Sequence, residues 1–181
     1  MKTKLFLIAI LINCSIFTFA QANKKTTSSN KFIVEHCIDE ITSTEYYFAK
    51  NSLILIDSNN KQGFRITLNI KKINDSLQIK SFIIKQANIG SCQEKDKLYI
   101  QFVDKEVITL DSWNKFNCEG LSYFEIDDSL QEKLKTTKIA SIRFKNGYTS
   151  DQYTHTLTAT DSSYFTKFYS SNQIVEIQCN N

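Results

Sequence analysis

Apolar and polar residues alternate with a period of two over much of this chain. The clearest case is Phe64, Ile66, Leu68 and Ile70, interleaved with Arg65, Thr67 and Asn69. That pattern predicts a strand with one dry face and one wet face. Leu77, Ile79, Ser81 and Ile83 alternate with Gln78, Lys80 and Phe82 and predict another. Leu98, Ile100 and Phe102 alternate with Tyr99 and Gln101, and after a charged tip come Val107, Ile108, Thr109 and Leu110. These two runs predict a hairpin with Cys92 and Cys118 outside its ends. A two-residue loop at Asp104-Lys105 would set Phe102 opposite Val107 and Ile100 opposite Thr109. A three-residue loop at 104–106 would set Phe102 opposite Ile108 and Ile100 opposite Leu110. The second choice collects Leu98, Ile100, Phe102, Ile108 and Leu110 on one face, so burial selects it. Such loops favour a glycine in the left-handed conformation, and this tip has none.

Further strands are expected at Tyr46–Phe48, Leu53–Ile56, Leu121–Ile126, Ile139–Lys145 and Tyr153–Leu157. Turn signals fall at 57–63, at Lys71-Lys72 with Asn74-Asp75, at Asn88-Ile89-Gly90 and at Asn146-Gly147. Two helices interrupt the strands. The first spans about 128–136: Asp127, Asp128 and Ser129 offer an N-cap, Ser129-x-x-Glu132 a capping box, and Leu130 and Leu134 a shared face. The second spans about 161–178, opened by Thr160-Asp161-Ser162-Ser163 and carrying Tyr164, Phe165, Phe168, Tyr169 and Val175 at helical spacing. The expected fold is mainly β: eight to ten largely antiparallel strands in a β-sandwich or strongly bent sheet. The alternative is an α+β two-layer arrangement with the C-terminal helix over one sheet.

The first twenty residues change the picture. Lys2 and Lys4, the apolar run from Leu5 to Phe17 and the small residue Ala20 read as a signal peptide. The run is shorter than the roughly 20 residues of a spanning helix. Residues 21–31 are a polar lead-in, and 32–181 form a single domain. Leu11-Ile12-Asn13-Cys14 offers a competing lipoprotein reading, with the chain anchored through Cys14. Secretion or periplasmic location is the main expectation. Without its first twenty residues the chain keeps 20 basic and 19 acidic side chains, 22 less Lys2 and Lys4 against 19. A nearly neutral chain with two arginines, Arg65 and Arg143, has no stripe for nucleic acid. Four cysteines then remain, Cys37, Cys92, Cys118 and Cys179, and an even number in an exported chain argues for disulfides. Three pairings are open. The preferred one joins Cys92 to Cys118 across the hairpin and Cys37 to Cys179 across the ends of the domain.

Candidate chemistry is sparse. His36 beside Cys37 suggests a nucleophile pair, but neighbours in a strand point to opposite faces. Asp127 and Asp128 suit capping better than paired acid–base work. His155, between Tyr153 and Leu157 on one strand face, reads as a partly buried histidine rather than a general base. The acidic hairpin tip reads as solvated rather than as a metal site. Trp113 is assigned to packing over the hairpin end or the disulfide rather than to a ligand platform. The four glycines, Gly63, Gly90, Gly120 and Gly147, are too scattered to cradle a phosphate. No catalytic, cofactor or metal residue is assigned.

The run Lys97 to Leu110, with Phe-Asn-Cys-Glu-Gly from Phe116 and Ile-Ala-Ser-Ile-Arg-Phe from Ile139, resembles a pattern in small secreted proteins of the Bacteroidetes. The resemblance covers roughly residues 90–150. It implies an exported family and carries over no active-site residue. Where that pattern has a glycine at the hairpin tip, this chain has Lys105. The functional expectation is therefore a monomeric, non-enzymatic binding or structural module of the cell envelope. Its expected partner is a protein or a cell-surface glycan. The alternative is a small secreted hydrolase using Asp127, Asp128 or His155.

Overall fold

The structure is a computed structural model that describes residues 32–75, 77–87 and 92–179. The expected signal peptide at 1–20 with Cys14, the expected lead-in at 21–31 and the expected turn at 88–90 lie outside the described residues. Among the described residues, eleven strands form two sheets. The larger contains β1 (Val34–Asp39), β2 (Thr44–Ala49), β3 (Leu53–Ile56), β4 (Gly63–Asn74), β5 (Leu77–Ala87), β8 (Leu121–Glu125) and β11 (Ile174–Glu176). Its order is β11-β1-β2-β4-β5-β8, with β3 also paired to β4. The smaller contains β6 (Lys97–Phe102), β7 (Val107–Asp111), β9 (Ile139–Lys145) and β10 (Gln152–Thr156), ordered β10-β9-β6-β7. All pairings are antiparallel except β1 with β11. The fold is mainly β and sandwich-like.

One core lies between the sheets. Phe64, Ile66 and Leu68 of β4 face inward with Phe82 and Ile84 of β5, all fully buried. Leu98, Ile100, Phe102, Ile142 and Phe144 meet them from the smaller sheet. Phe64 and Phe144 bring their ring centroids to 5.6 Å across the interface. The inward choice on β5 is set by register: Leu68 pairs with Phe82 and Ile66 with Ile84, which puts Leu77, Ile79 and Ile83 on the opposite face. The strands also continue through Lys71-Lys72 to Asn74, so the expected turn is a narrower one.

In the central hairpin, Ile100 pairs with Ile108 and Leu98 with Leu110. Phe102 N–H donates to Glu106 O at 2.9 Å, so the loop is Val103-Asp104-Lys105. It has the expected three residues but sits one residue earlier, and the pairing differs by two positions. The inward set is unchanged, because a shift of two preserves the faces. Lys105 takes φ 72°, the left-handed position that favours glycine. The tip carboxylates are not merely solvated: Asp104 accepts from Lys133 Nζ at 2.8 Å, and Glu106 pairs with the same ammonium group. That ammonium also lies 4.9 Å from the Phe102 ring centroid.

The first helix, α1, spans Asp128–Thr136 as expected and buries Leu130 and Leu134. Asp127 is its cap, accepting from Leu130 N–H at 2.7 Å. The Ser129–Glu132 capping box does not form; Glu132 pairs instead with Lys135 at 2.6 Å. The second helix is much shorter than 161–178. A 3-10 turn at Asp161–Ser163 leads into α2, Tyr164–Ser170. Residues 174–176 are then strand β11, and Val175 pairs with Glu35. Ile174 and Val175 are β-branched and lie beside an open strand edge, where pairing outweighs continuation of a helix. The aromatic stripe itself packs as expected, with Phe165 edge-on to Phe82 at 5.1 Å.

Asn146-Gly147 does not make a two-residue hairpin turn; Lys145 pairs with Gln152 around a six-residue loop. Asn146 is fully buried, accepts from Tyr148 and Thr149 N–H, and donates to Cys92 O at 3.0 Å. A Cβ on Gly147 would stand 2.0 Å from Glu94 O, so close backbone approach requires glycine there. Gly147 N–H donates to buried Asp96 Oδ1 at 2.7 Å, and Ser122 Oγ lies 2.5 Å from Asp96 Oδ2. Gln93 Oε1 lies 2.5 Å from the same hydroxyl, and one proton cannot serve two acceptors. Half a turn of the Gln93 amide puts Nε2 there and satisfies both contacts.

The disulfides are Cys37–Cys179 and Cys92–Cys118, separated by 142 and 26 residues in the chain. Such bonds belong to an oxidising, non-cytoplasmic compartment. Among the described residues, no helix is long and apolar enough to cross a membrane.

Loop-closure scaling assigns about 5 kcal/mol to the long link and about 3.5 kcal/mol to the short one. Denaturant unfolding of the Cys37→Ser/Cys179→Ser pair should therefore show a larger loss than that of Cys92→Ser/Cys118→Ser; the reverse order contradicts this. Lys105→Gly should raise stability by about 0.5–1 kcal/mol by relieving the left-handed backbone. A destabilised Gly variant would contradict the turn assignment.

Candidate functional site

With one face of the larger sheet in the core, its other face carries the remaining side chains of its seven strands. Cross-strand register fixes their rows. Glu35, Phe48, Asn69 and Ser81 form one row across β1, β2, β4 and β5. Thr67, Ile83 and Tyr123 form the next, and Arg65, Lys85 and Leu121 a third. The face bounds a groove of about 780 Å³. That lies within the usual range for small-ligand sites. One end is closed by the chain tail 177–179, which Cys179 ties to Cys37 on this same face.

The groove is electrically uneven. At the strapped end Glu35 pairs with Lys50 at 3.8 Å. Asp39, also at that end, is held below the usual carboxylate range by hydrogen bonds from the Thr42 side chain and the Ile41 and Thr42 N–H groups. Toward β5, Arg65 and Lys85 stand directly opposite one another, both exposed. Neither has a carboxylate partner among the described residues. Like charges directly opposite in a sheet destabilise it.

Aromatic surface borders this basic end. Trp113 does not pack over the hairpin end or the disulfide as the sequence suggests. It is 60% exposed, and its ring centroid lies 5.2 Å from that of Tyr123. The Trp113 backbone N–H donates to Tyr123 O at 3.1 Å, and Asn114 Oδ1 accepts from the Tyr123 backbone N–H at 3.0 Å, fixing the connector against β8. The same connector carries Phe116, 52% exposed, whose ring is 5.5 Å from that of Tyr148.

A second polar group sits on the inward side at the β1–β2 end. The His36 ring stacks on Tyr47 at 4.4 Å, with Nε2 3.6 Å from Glu45 Oε2. Tyr47 donates to Glu45 at 2.7 Å and Lys72 donates to it at 3.2 Å. The Tyr47 hydroxyl, then Lys72, hold the Glu45 carboxyl below its ordinary range, and the same bond with burial pushes the Tyr47 phenol up. Glu45 is thus ionised and already engaged. His36 and Cys37 point to opposite faces, and the Cys37 sulfur is in a disulfide.

The three residues considered for hydrolysis are not brought together. Asp127 caps α1. Asp128 meets Lys80 at 2.5 Å, which lowers its pKa. His155 lies on β10, edge-on to Phe64 at 5.6 Å. Among the described residues no group of three His, Cys, Asp or Glu side chains is placed to hold a metal. The groove residues Arg65, Lys85, Tyr46 and Phe48 escaped the sequence reading. Arg65 stands in the polar half of the β4 alternation, but only register shows that Lys85 lies opposite it and that Tyr46 and Phe48 share its face. Compared with known proteins, the chain matches no family model, no curated protein and no solved structure.

Burial pushes the His155 pKa below 6.5, an effect Asp57 partly offsets. With the folded value depressed, the unfolded chain takes up the proton first as pH falls. Stability from this site is complete above about pH 6.5 and is lost as pH drops toward the folded pKa. His155→Phe keeps an aromatic edge on Phe64 and removes the titration. Its Tm should fall less than wild type between neutral and mildly acidic pH; parallel Tm curves would contradict the burial of a neutral imidazole.

Proposed function

We propose that this protein is a non-enzymatic, exported binding module of the cell envelope, and that its ligand lies on the open face of the larger sheet. The supporting observation is that face itself: a grooved, strapped surface mixing Tyr46, Phe48 and Ile83 with Arg65, Thr67 and Asn69. A surface that mixes flat apolar area with convergent polar groups suits recognition more than structural packing. The ligand class we favour is a cell-surface glycan over a protein, because the polar groups and aromatic rings stand on a sheet face. Peptides that join a sheet add to its edge through backbone hydrogen bonds. Export to the periplasm or the outside fits the signal-like start and the disulfides, with anchoring through Cys14 as the alternative route to the same envelope. The protein acts as a monomer in this reading.

The test is binding of the labelled, purified protein to intact host cells. Wild type should bind saturably and be displaced by unlabelled protein. Asn69→Trp, which fills the middle of the groove, should abolish this. Thr109→Trp, on the exposed side of the smaller sheet, should leave it unchanged. Equal loss in both variants, or no saturable binding by wild type, contradicts the reading.

A further inference from the structure

Arg65 and Lys85 are the part of the open face that the fold does not account for. Twenty positions apart in sequence, they are brought face to face by the β4–β5 register. Their mutual repulsion works against the sheet, and no described carboxylate relieves it. Such a pair offers two adjacent cationic donors to an anion from outside. The rows beside it show what carries that anion. Leu121 continues the Arg65–Lys85 row, and the adjacent row ends on Tyr123, against which Trp113 lies with most of its surface free. From β4 to β8 is two strand spacings, about 10 Å. The opposite end of the groove holds Glu35 and Asp39, so a ligand charged along its whole length is disfavoured there.

We propose that the open face binds an acidic oligosaccharide, with a uronate carboxylate held between Arg65 and Lys85 and an adjoining sugar ring against Trp113 and Tyr123. This rests on the reading of the open face as the binding surface and adds the chemistry of its ligand. The planar fork of Arg65 matches a planar carboxylate with two parallel hydrogen bonds, and Lys85 adds a point charge. A pyranose ring has one apolar C–H face, which suits an exposed indole, while Thr67 and Asn69 meet hydroxyl groups deeper in the groove. A nucleic acid needs a longer run of cations than this pair supplies, and the acidic far end would repel its phosphates.

The experiment is calorimetric titration of the full exported protein with glucuronosyl-cellotriose, which carries one uronate on three neutral rings, with cellotetraose as the neutral probe and cellotetraose 6-monosulfate as the tetrahedral anion. Saturable uronate binding that weakens with salt is expected. Arg65→Gln and Lys85→Gln should each weaken it by roughly tenfold to a hundredfold, the loss of a hydrogen bond to a charged group. Trp113→Ala should weaken it by roughly threefold to tenfold. Both Gln variants should fold and melt no lower than wild type, since each removes like-charge repulsion, so lost binding cannot be ascribed to unfolding. Equal affinity for cellotetraose, with no effect of Arg65→Gln, overturns the acidic class. Preference for the sulfated probe overturns the carboxylate assignment. No binding of any sugar overturns the glycan proposal. In each of these cases the host-cell assay with Asn69→Trp still decides separately whether the face is a binding surface.

Discussion

Phe64, Ile66 and Leu68 are fully buried on one side of β4, and they can be so only if Phe82 and Ile84 of the neighbouring strand lie beside them. A one-residue slip of β5 against β4 would send Phe82 and Ile84 to the other face, away from the β4 set. The rest of the molecule answers this constraint. The hairpin of β6 and β7 and strand β9 provide the opposing layer, Phe165 of α2 closes over Phe82, and α1 is joined to the hairpin tip through Lys133. Burying that side commits the other side to solvent. Arg65, Thr67 and Asn69 on β4, with Ile83 and Lys85 on β5, become a surface by the same alternation that builds the core.

The polar interior has a different task. Asp96, Ser122, Gln93 and Asn146 are all fully buried, and their hydrogen bonds join the loop near Cys92, strand β8 and the turn at 146–151. Buried polar groups are costly unless satisfied, so this set specifies one arrangement of these three segments around the Cys92–Cys118 bond. The connector from Ser112 to Cys118 is held by that arrangement. It presents Trp113 beside Tyr123 at the margin of the open face. The other disulfide sets the far margin by tying the tail to Cys37. Two covalent links and one hydrogen-bonded cluster thereby frame a groove whose floor is plain sheet.

Local signals were read well where local physics decides. The helix at 128–136 announces itself through Asp127 three residues before Leu130 and through Leu130 and Leu134 on one face. The hairpin's buried set follows from parity, which survives the shift of its loop onto Lys105. Misreadings arose where distant partners decide. The helical spacing from Tyr164 runs on to Val175 only by coincidence, because Ile174 and Val175 pair with β1, far away in sequence. Asn146-Gly147 looks like a hairpin turn, yet its requirement for glycine comes from the carbonyls of Glu94 and Lys95. The alternation in β5 revealed a strand without telling which face lies inward. The candidate site was hidden for the same reason: Arg65 and Lys85 look like two ordinary exposed cations until the register sets them opposite.

The most direct test of the open face as the ligand surface is a chemical-shift map of the isotope-labelled protein titrated with glucuronosyl-cellotriose. The account predicts shifts in the Trp113 indole N–H and in the amides of β2, β4, β5 and β8 around Phe48, Arg65, Thr67, Ile83, Lys85 and Tyr123, with the smaller sheet unmoved. Shifts confined to β6, β7, β9 and β10, or no shifts at saturating sugar, would contradict it.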